Sequence, residues 1–116
     1  MSPHIARHAL RRQVTGTVPA ADVMTSQDAG MLIDLSENGM MLLGGSGLLK
    51  DGLYQLRFPL EDRGRVSEID VGVHLLWLGQ PNTQGLRQAG FRFLTISDED
   101  RERIRRWIES GDNYSY

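Results

Sequence analysis

The sequence predicts a mainly β fold, a small antiparallel β-barrel or sandwich that is followed by one C-terminal helix. Three observations predict it. Short segments of alternating apolar and polar residues recur along the chain, turn residues separate them, and helical apolar spacing occurs near the end. The chain has 116 residues, which is enough for one domain with a modest core.

About six strands are predicted, and two of them show the alternation most clearly. In the segment 53–60 every second residue is apolar, as in a half-buried strand. The segment 66–78 repeats this pattern and places Trp77 on the same apolar face as Leu75. The remaining strands are predicted within 13–24, 31–35, 40–43 and 89–96.

The last segment has the pattern of a capped helix over about 98–110. Ser97 supplies an N-cap hydroxyl, and three acidic residues follow in the first turn, where they favour the helix dipole. Ile104, Trp107 and Ile108 form one apolar stripe. We therefore expect the helix to pack on the β-sheet body.

Charge is distributed unevenly along the chain, although the formal net charge is only −2. Three arginines precede the first acidic residue, Asp22, whereas 10 of the 13 basic and all 15 acidic side chains follow, a local charge of −5. The sequence thus predicts a flexible basic arm over 1–12, a folded body over 13–111 and a short tail over 112–116. A basic arm suggests an anionic partner.

Several classes of function are disfavoured by composition. The absence of cysteine and of an apolar run of about 20 residues predicts a cytoplasmic protein that does not insert into membranes. The three histidines have no metal-ligand spacing, and no catalytic set stands out, so we expect neither a metal site nor an enzyme. A folded body with a local charge of −5 offers too little positive surface for the phosphates of nucleic acid, so the sequence disfavours a nucleic-acid-binding protein.

Two motifs carry the functional prediction: Arg7-x-x-x-Arg11, and Asp34-x-Ser36-x-x-Gly39 beginning 23 residues after Arg11. The second is predicted as an exposed tight turn. A plain β-turn and a solvated basic tail would explain both segments without any ligand. The alternative is that guanidinium groups bind guanine edges or phosphates while the acidic side chain and the hydroxyl bind from an exposed corner.

Together the motifs resemble the paired signature of PilZ domains, bacterial receptors for cyclic di-GMP. The resemblance extends through Ala89-Gly90-Phe91-Arg92-Phe93 to the final helix, and it implies a six-stranded antiparallel β-barrel with a C-terminal α-helix. It also implies a set of residues that bind cyclic di-GMP. In this set Gly39 leaves space for the ligand, and Arg12 is an additional arginine that contacts phosphate. The residues of the set are Arg7, Arg11, Arg12, Asp34, Ser36 and Gly39.

Trp77 has two interpretations, a core residue or a platform on which a base of the nucleotide stacks. The resemblance implies a non-catalytic receptor, without a cofactor, that changes its arm and surface on binding and regulates an unidentified protein effector in motility, biofilm formation or secretion. The alternative is a PilZ-like adaptor that works through protein contacts without nucleotide. The number of bound nucleotides, one or two, and the relative weight of Arg11 and Arg12 stay open.

Overall fold

The computed structural model describes residues 10–45 and 47–111. Within them lie seven strands and one helix. Their bounds are β1 Arg11–Gln13, β2 Pro19–Asp22, β3 Gln27–Ser36, β4 Gly39–Gly44, β5 Leu53–Asp62, β6 Arg65–Leu78, β7 Arg87–Ile96 and α1 Asp98–Glu109.

Six of these strands close a barrel in which every pairing is antiparallel. The ring runs β3-β2-β5-β6-β7-β4 and closes where β4 pairs with β3. The short β1 is additional and pairs with the second half of β3. Among the described residues the fold is therefore the predicted six-stranded antiparallel barrel with a C-terminal helix.

The core is formed by the alternate residues that the strand patterns predict to be apolar. On β5, Leu56, Phe58 and Leu60 are buried, and on β6 the inward side chains include Val71 and Leu75. Burial of such side chains stabilises the barrel by roughly 1.5–3 kcal/mol each.

Helix α1 packs on the barrel against β3 and β5. Its N-cap is Ser97, whose Oγ accepts a hydrogen bond from the backbone N–H of Asp100 at 3.0 Å. The predicted stripe of Ile104, Trp107 and Ile108 is buried. No helix in residues 10–45 and 47–111 combines the length and apolarity needed to cross a membrane.

Two of the β-bulges in the sheet, one in the second half of β3 and one near the end of β6, reorient side chains that matter for the site. The register shifts between Leu32 and Asp34, which makes Ile33 an extra residue, and again between Leu75 and Trp77. An extra residue reverses the side-chain alternation that follows it. The prediction that Trp77 shares the inward face of Leu75 is therefore wrong, because Trp77 points outward and is 42% exposed.

The N-terminal part of the sheet differs from the single bent strand predicted over 13–24. It consists of β1 and β2, with Gly16 at φ 80° between them, a backbone conformation that glycine adopts easily. Arg11 and Arg12, assigned by the sequence to a flexible arm, lie in a strand paired with β3. Arg7 lies outside the described residues.

Candidate functional site

Arg11 and Asp34 bring the two sequence motifs together. β1 is antiparallel to β3, with Arg11 opposite Ser36 and Gln13 opposite Asp34. From this position Arg11 Nη1 donates to Asp34 Oδ1 at 2.9 Å. The last residue of the arginine motif and the first residue of the second motif thus form an ion pair.

Asp34 is buried, contrary to the exposed turn that the sequence predicts. The bulge at Ile33 turns Asp34 to the outer face of β3, but the side chain is only 6% exposed, because β1 pairs beside it and Arg11 covers it. Burial raises the pKa of the Asp34 carboxyl above its ordinary value of 3.8, while the charge and hydrogen bond of Arg11 oppose the rise. Among the described residues no donor reaches the second carboxylate oxygen, Oδ2.

Ser36 organises the turn between β3 and β4. Its Oγ accepts from the backbone N–H groups of Asn38 and Gly39, each at 3.2 Å, and donates to the Gly39 carbonyl at 3.3 Å. Ser36 is only 2% exposed, so the expectation of an exposed serine is also wrong. A side chain at Gly39 would collide with the Phe91 carbonyl of β7, and close strand packing therefore requires glycine here.

Helix α1 holds the same turn from outside, through two arginines that belong to neither sequence motif. Arg101 Nη1 donates to the Glu37 carbonyl at 3.0 Å, and Arg105 Nη2 donates to the Glu37 carboxylate at 3.0 Å. These contacts join residues 64 and 68 positions apart. The turn between Ser36 and Gly39 is thereby fixed to the helix.

Arg12 does not join Arg11 at the site. It is opposite the core residue Leu35, so its side chain leaves β1 on the face opposite to Arg11 and reaches the end of α1. Arg12 Nη1 donates to the Trp107 carbonyl, and its guanidinium lies 4.3 Å from the centre of the Trp107 ring. A recess of about 400 Å³ beside this contact is lined by Arg12 and Trp107 but not by Asp34 or Ser36.

Trp77 lies on the same outer face of the barrel as Asp34. A row of paired residues runs across four strands, from Asp34 through Met41 and Gly90 to Trp77. The indole lies over Gly90, where any added Cβ would collide with it. The outer face thus presents an ion pair at one end of the row and a half-exposed aromatic ring at the other.

Chemically, this face offers hydrogen-bond donors, a buried acceptor and an aromatic surface, which together suit a planar ligand with polar edges. Over the described ranges, no group of three or more His, Asp or Glu side chains is placed to hold a metal ion.

Comparisons with known proteins agree with this architecture. The family model for the PilZ domain matches residues 6–110. The Bacillus subtilis inhibitor of motility (MotI/DgrA) is structurally similar with a TM-score of 0.74 and 10% identity, over 88% of this chain and 48% of that one. This chain therefore spans about half the length of MotI/DgrA.

Two isolated PilZ domains are also similar. The domain of YcgR from Escherichia coli, solved with c-di-GMP, has a TM-score of 0.62 and 18% identity over 86% of each chain. The domain of CeSA from a cellulose-synthesizing bacterium has a TM-score of 0.58 and 17% identity over 86% of this chain and 95% of that one. A comparison with curated proteins gave no match.

The family model covers nearly the whole described barrel and helix, including both arginines of β1 and the complete turn motif. At identities of 10–18%, the solved structures independently support the same fold. The chain therefore belongs to the PilZ domain family.

Proposed function

We propose that this chain is a receptor for cyclic di-GMP that regulates a partner protein. The observation that carries the proposal is the Arg11–Asp34 ion pair beside Ser36, which unites the two motifs on one outer face of the barrel. The c-di-GMP-bound YcgR domain, a member of the same family, supports the choice of nucleotide.

The groups at this face fit a guanine nucleotide. Asp34 is buried, its Oδ2 has no donor within the described residues, and the acceptors of buried side chains are normally satisfied. A guanine N–H group would donate a hydrogen bond to this oxygen. Arg11 uses one N–H on Asp34, so its other donors can reach a guanine edge or a phosphate.

Three further residues, Trp77, Arg12 and Arg7, have distinct parts in this proposal. Trp77 would provide a face against which a purine stacks, since its ring is 42% exposed on the same surface. Arg12, expected from the sequence as a phosphate contact, would instead hold α1 through Trp107. Arg7 lies outside the described residues, and its part as a second guanidinium remains a prediction from the motif.

Signalling to a partner would proceed by binding and without catalysis. β1 touches the ligand face through Arg11 and the helix through Arg12, while α1 holds the turn at Glu37. A ligand that moves Arg11 would therefore alter contacts at both ends of α1 and change the surface offered to a cytoplasmic effector. A motility output is one candidate, given the similarity to MotI/DgrA.

Calorimetric titration of the full chain with cyclic di-GMP tests the proposal. We expect saturable binding, with a stoichiometry that decides between one and two nucleotides. Arg11→Ala should weaken it by about 1.5–3 kcal/mol, roughly ten- to a hundredfold, because a charge-assisted contact is lost. Arg65→Ala, an exposed arginine on β6, is the matched control. If the unsubstituted chain gives no heat of binding, the receptor proposal is wrong, and the alternative is a PilZ-like adaptor that works without nucleotide.

A further inference from the structure

Arg92 is an arginine beside the site that neither motif includes. On β7 it is paired with Gly39 of β4 and with His74 of β6. Its neighbour Phe91 is buried in the core, so Arg92 points to the outer face, where it is exposed. The turn motif therefore has Arg11 on one side and Arg92 on the other.

The two arginines occupy one row across the outer face. Arg11 is opposite Ser36, Ser36 bonds to Gly39 across the turn, and Gly39 is opposite Arg92. Three inter-strand steps separate the backbones of Arg11 and Arg92, about 14 Å in a flat sheet. Long side chains from both ends can lean over the intervening Ser36 and Gly39.

Charge balance distinguishes these two cations. Arg11 is neutralised by Asp34, and the neighbouring Glu37 is balanced by Arg105. Among the residues that the structure describes, the guanidinium of Arg92 has no carboxylate or other hydrogen-bonding partner. A cyclic dinucleotide brings two phosphodiester charges, which the Arg11–Asp34 pair, with no net charge, does not balance.

We propose that Arg92 binds a phosphate of the nucleotide, on the side of the site away from Asp34. The assignment rests on the proposed function and completes its electrostatics. A phosphate is disfavoured close to the Asp34 carboxylate, whereas Arg92 lies opposite Gly39, which has no side chain to block an approach. Trp77, over Gly90, flanks the same space.

Calorimetry with cyclic di-GMP on the full chain tests this assignment. Arg92→Ala should weaken binding about tenfold, the lower end for a hydrogen bond to a charged group, with an unchanged melting temperature because the side chain is exposed. Arg92→Lys should keep most of the affinity, since an ammonium also binds phosphate. Arg87→Ala is the matched control, on the same strand but near the opposite end, opposite Gly44.

The outcomes separate this assignment from the proposed function. If the unsubstituted chain binds and Arg92→Ala binds as tightly as Arg87→Ala, Arg92 has no part and the receptor proposal stands. If Arg92→Lys binds as weakly as Arg92→Ala, the guanidinium of Arg92 makes a bidentate contact to a base edge, and the phosphate assignment is overturned. If the unsubstituted chain does not bind, both proposals are overturned.

Discussion

Arg11 Nη1 lies 2.9 Å from Asp34 Oδ1, so the guanidinium expected to bind the ligand already neutralises the carboxylate expected to bind it. This pairing explains how Asp34 is tolerated at 6% exposure before any nucleotide is present. In the proposed receptor a ligand would meet a preformed ion pair, and within the described residues Asp34 Oδ2 and the other N–H groups of Arg11 have no hydrogen-bonding partner.

The buried carboxyl of Asp34 makes stability depend on pH. Because burial raises the pKa of Asp34, the folded chain holds this proton more tightly than the unfolded chain does. The contribution of Asp34 to the free energy of unfolding is full below the ordinary pKa of 3.8 and is lost as pH rises through the higher folded-state value. The substitution Asp34→Asn removes the ionisable group, and with it this loss of stability at higher pH.

Urea unfolding of both proteins from acid to neutral pH measures the effect. We expect Asp34→Asn to gain stability relative to the unsubstituted chain as pH rises, although it loses affinity for cyclic di-GMP. Asp28→Asn, which removes an exposed carboxylate of the same strand, is the control. If the free energies of unfolding of Asp34→Asn and the unsubstituted chain change with pH in parallel, burial does not raise the pKa of Asp34.

Trp77 should report nucleotide binding directly. Trp107 of α1 is buried, whereas Trp77 is half-exposed on the outer face that carries Asp34, so a stacking purine would change the fluorescence of Trp77. We expect Trp77→Ala to lose about 1–3 kcal/mol of binding free energy, the usual value for one base stacked on an aromatic ring. A Trp107→Phe chain that keeps Trp77 should still show the fluorescence change, and an unaltered affinity in Trp77→Ala would exclude stacking.

Arg12→Ala should separate the two adjacent arginines of β1. The guanidinium of Arg12 packs 4.3 Å from the Trp107 ring and bonds to its carbonyl, so its removal should cost about 1–2 kcal/mol of unfolding free energy. Affinity for cyclic di-GMP should change little. Thermal unfolding and calorimetry of Arg12→Ala beside Arg65→Ala give both quantities. Full stability together with a loss of affinity would instead place Arg12 on the ligand.

Arg101→Ala should loosen the turn that carries the second motif. The bond from Arg101 to the Glu37 carbonyl is worth about 0.5–1.5 kcal/mol, so amide hydrogen exchange at Asn38 and Gly39 should accelerate roughly two- to tenfold. Arg103→Ala is a suitable control, because Arg103 pairs with Asp100 within the helix. Equal exchange rates in the two variants would mean that the Arg101 bond does not support the turn.

The fold was largely predictable because its signals are local. Alternating apolar residues mark β5 and β6, and the Ser97 cap with its following acids marks α1. The two bulges were not predictable, since Ile33 and Leu76 are themselves apolar and leave the pattern looking regular. Those bulges decide that Asp34 and Trp77 face outward together.

Of the residues in the candidate site, only those that belong to the two sequence motifs were predictable. Spacing and residue types indicated Arg11, Asp34 and Ser36, and the structure brings these three together. The roles of Arg101 and Arg92 depend on contacts or register between distant segments, which no short pattern records. Likewise, alternation along β1 sends Arg11 and Arg12 to opposite faces, but only the position of α1 shows what Arg12 meets.

Backbone amide and indole NMR of the full chain during titration with cyclic di-GMP tests the central claim most directly. We expect saturable shifts at Arg11, from Asp34 to Gly39, and at the Trp77 indole, with small changes around Gly45 and Arg87 at the other end of the barrel. Unchanged spectra at saturating nucleotide, or shifts confined to the Gly45 end, would contradict it.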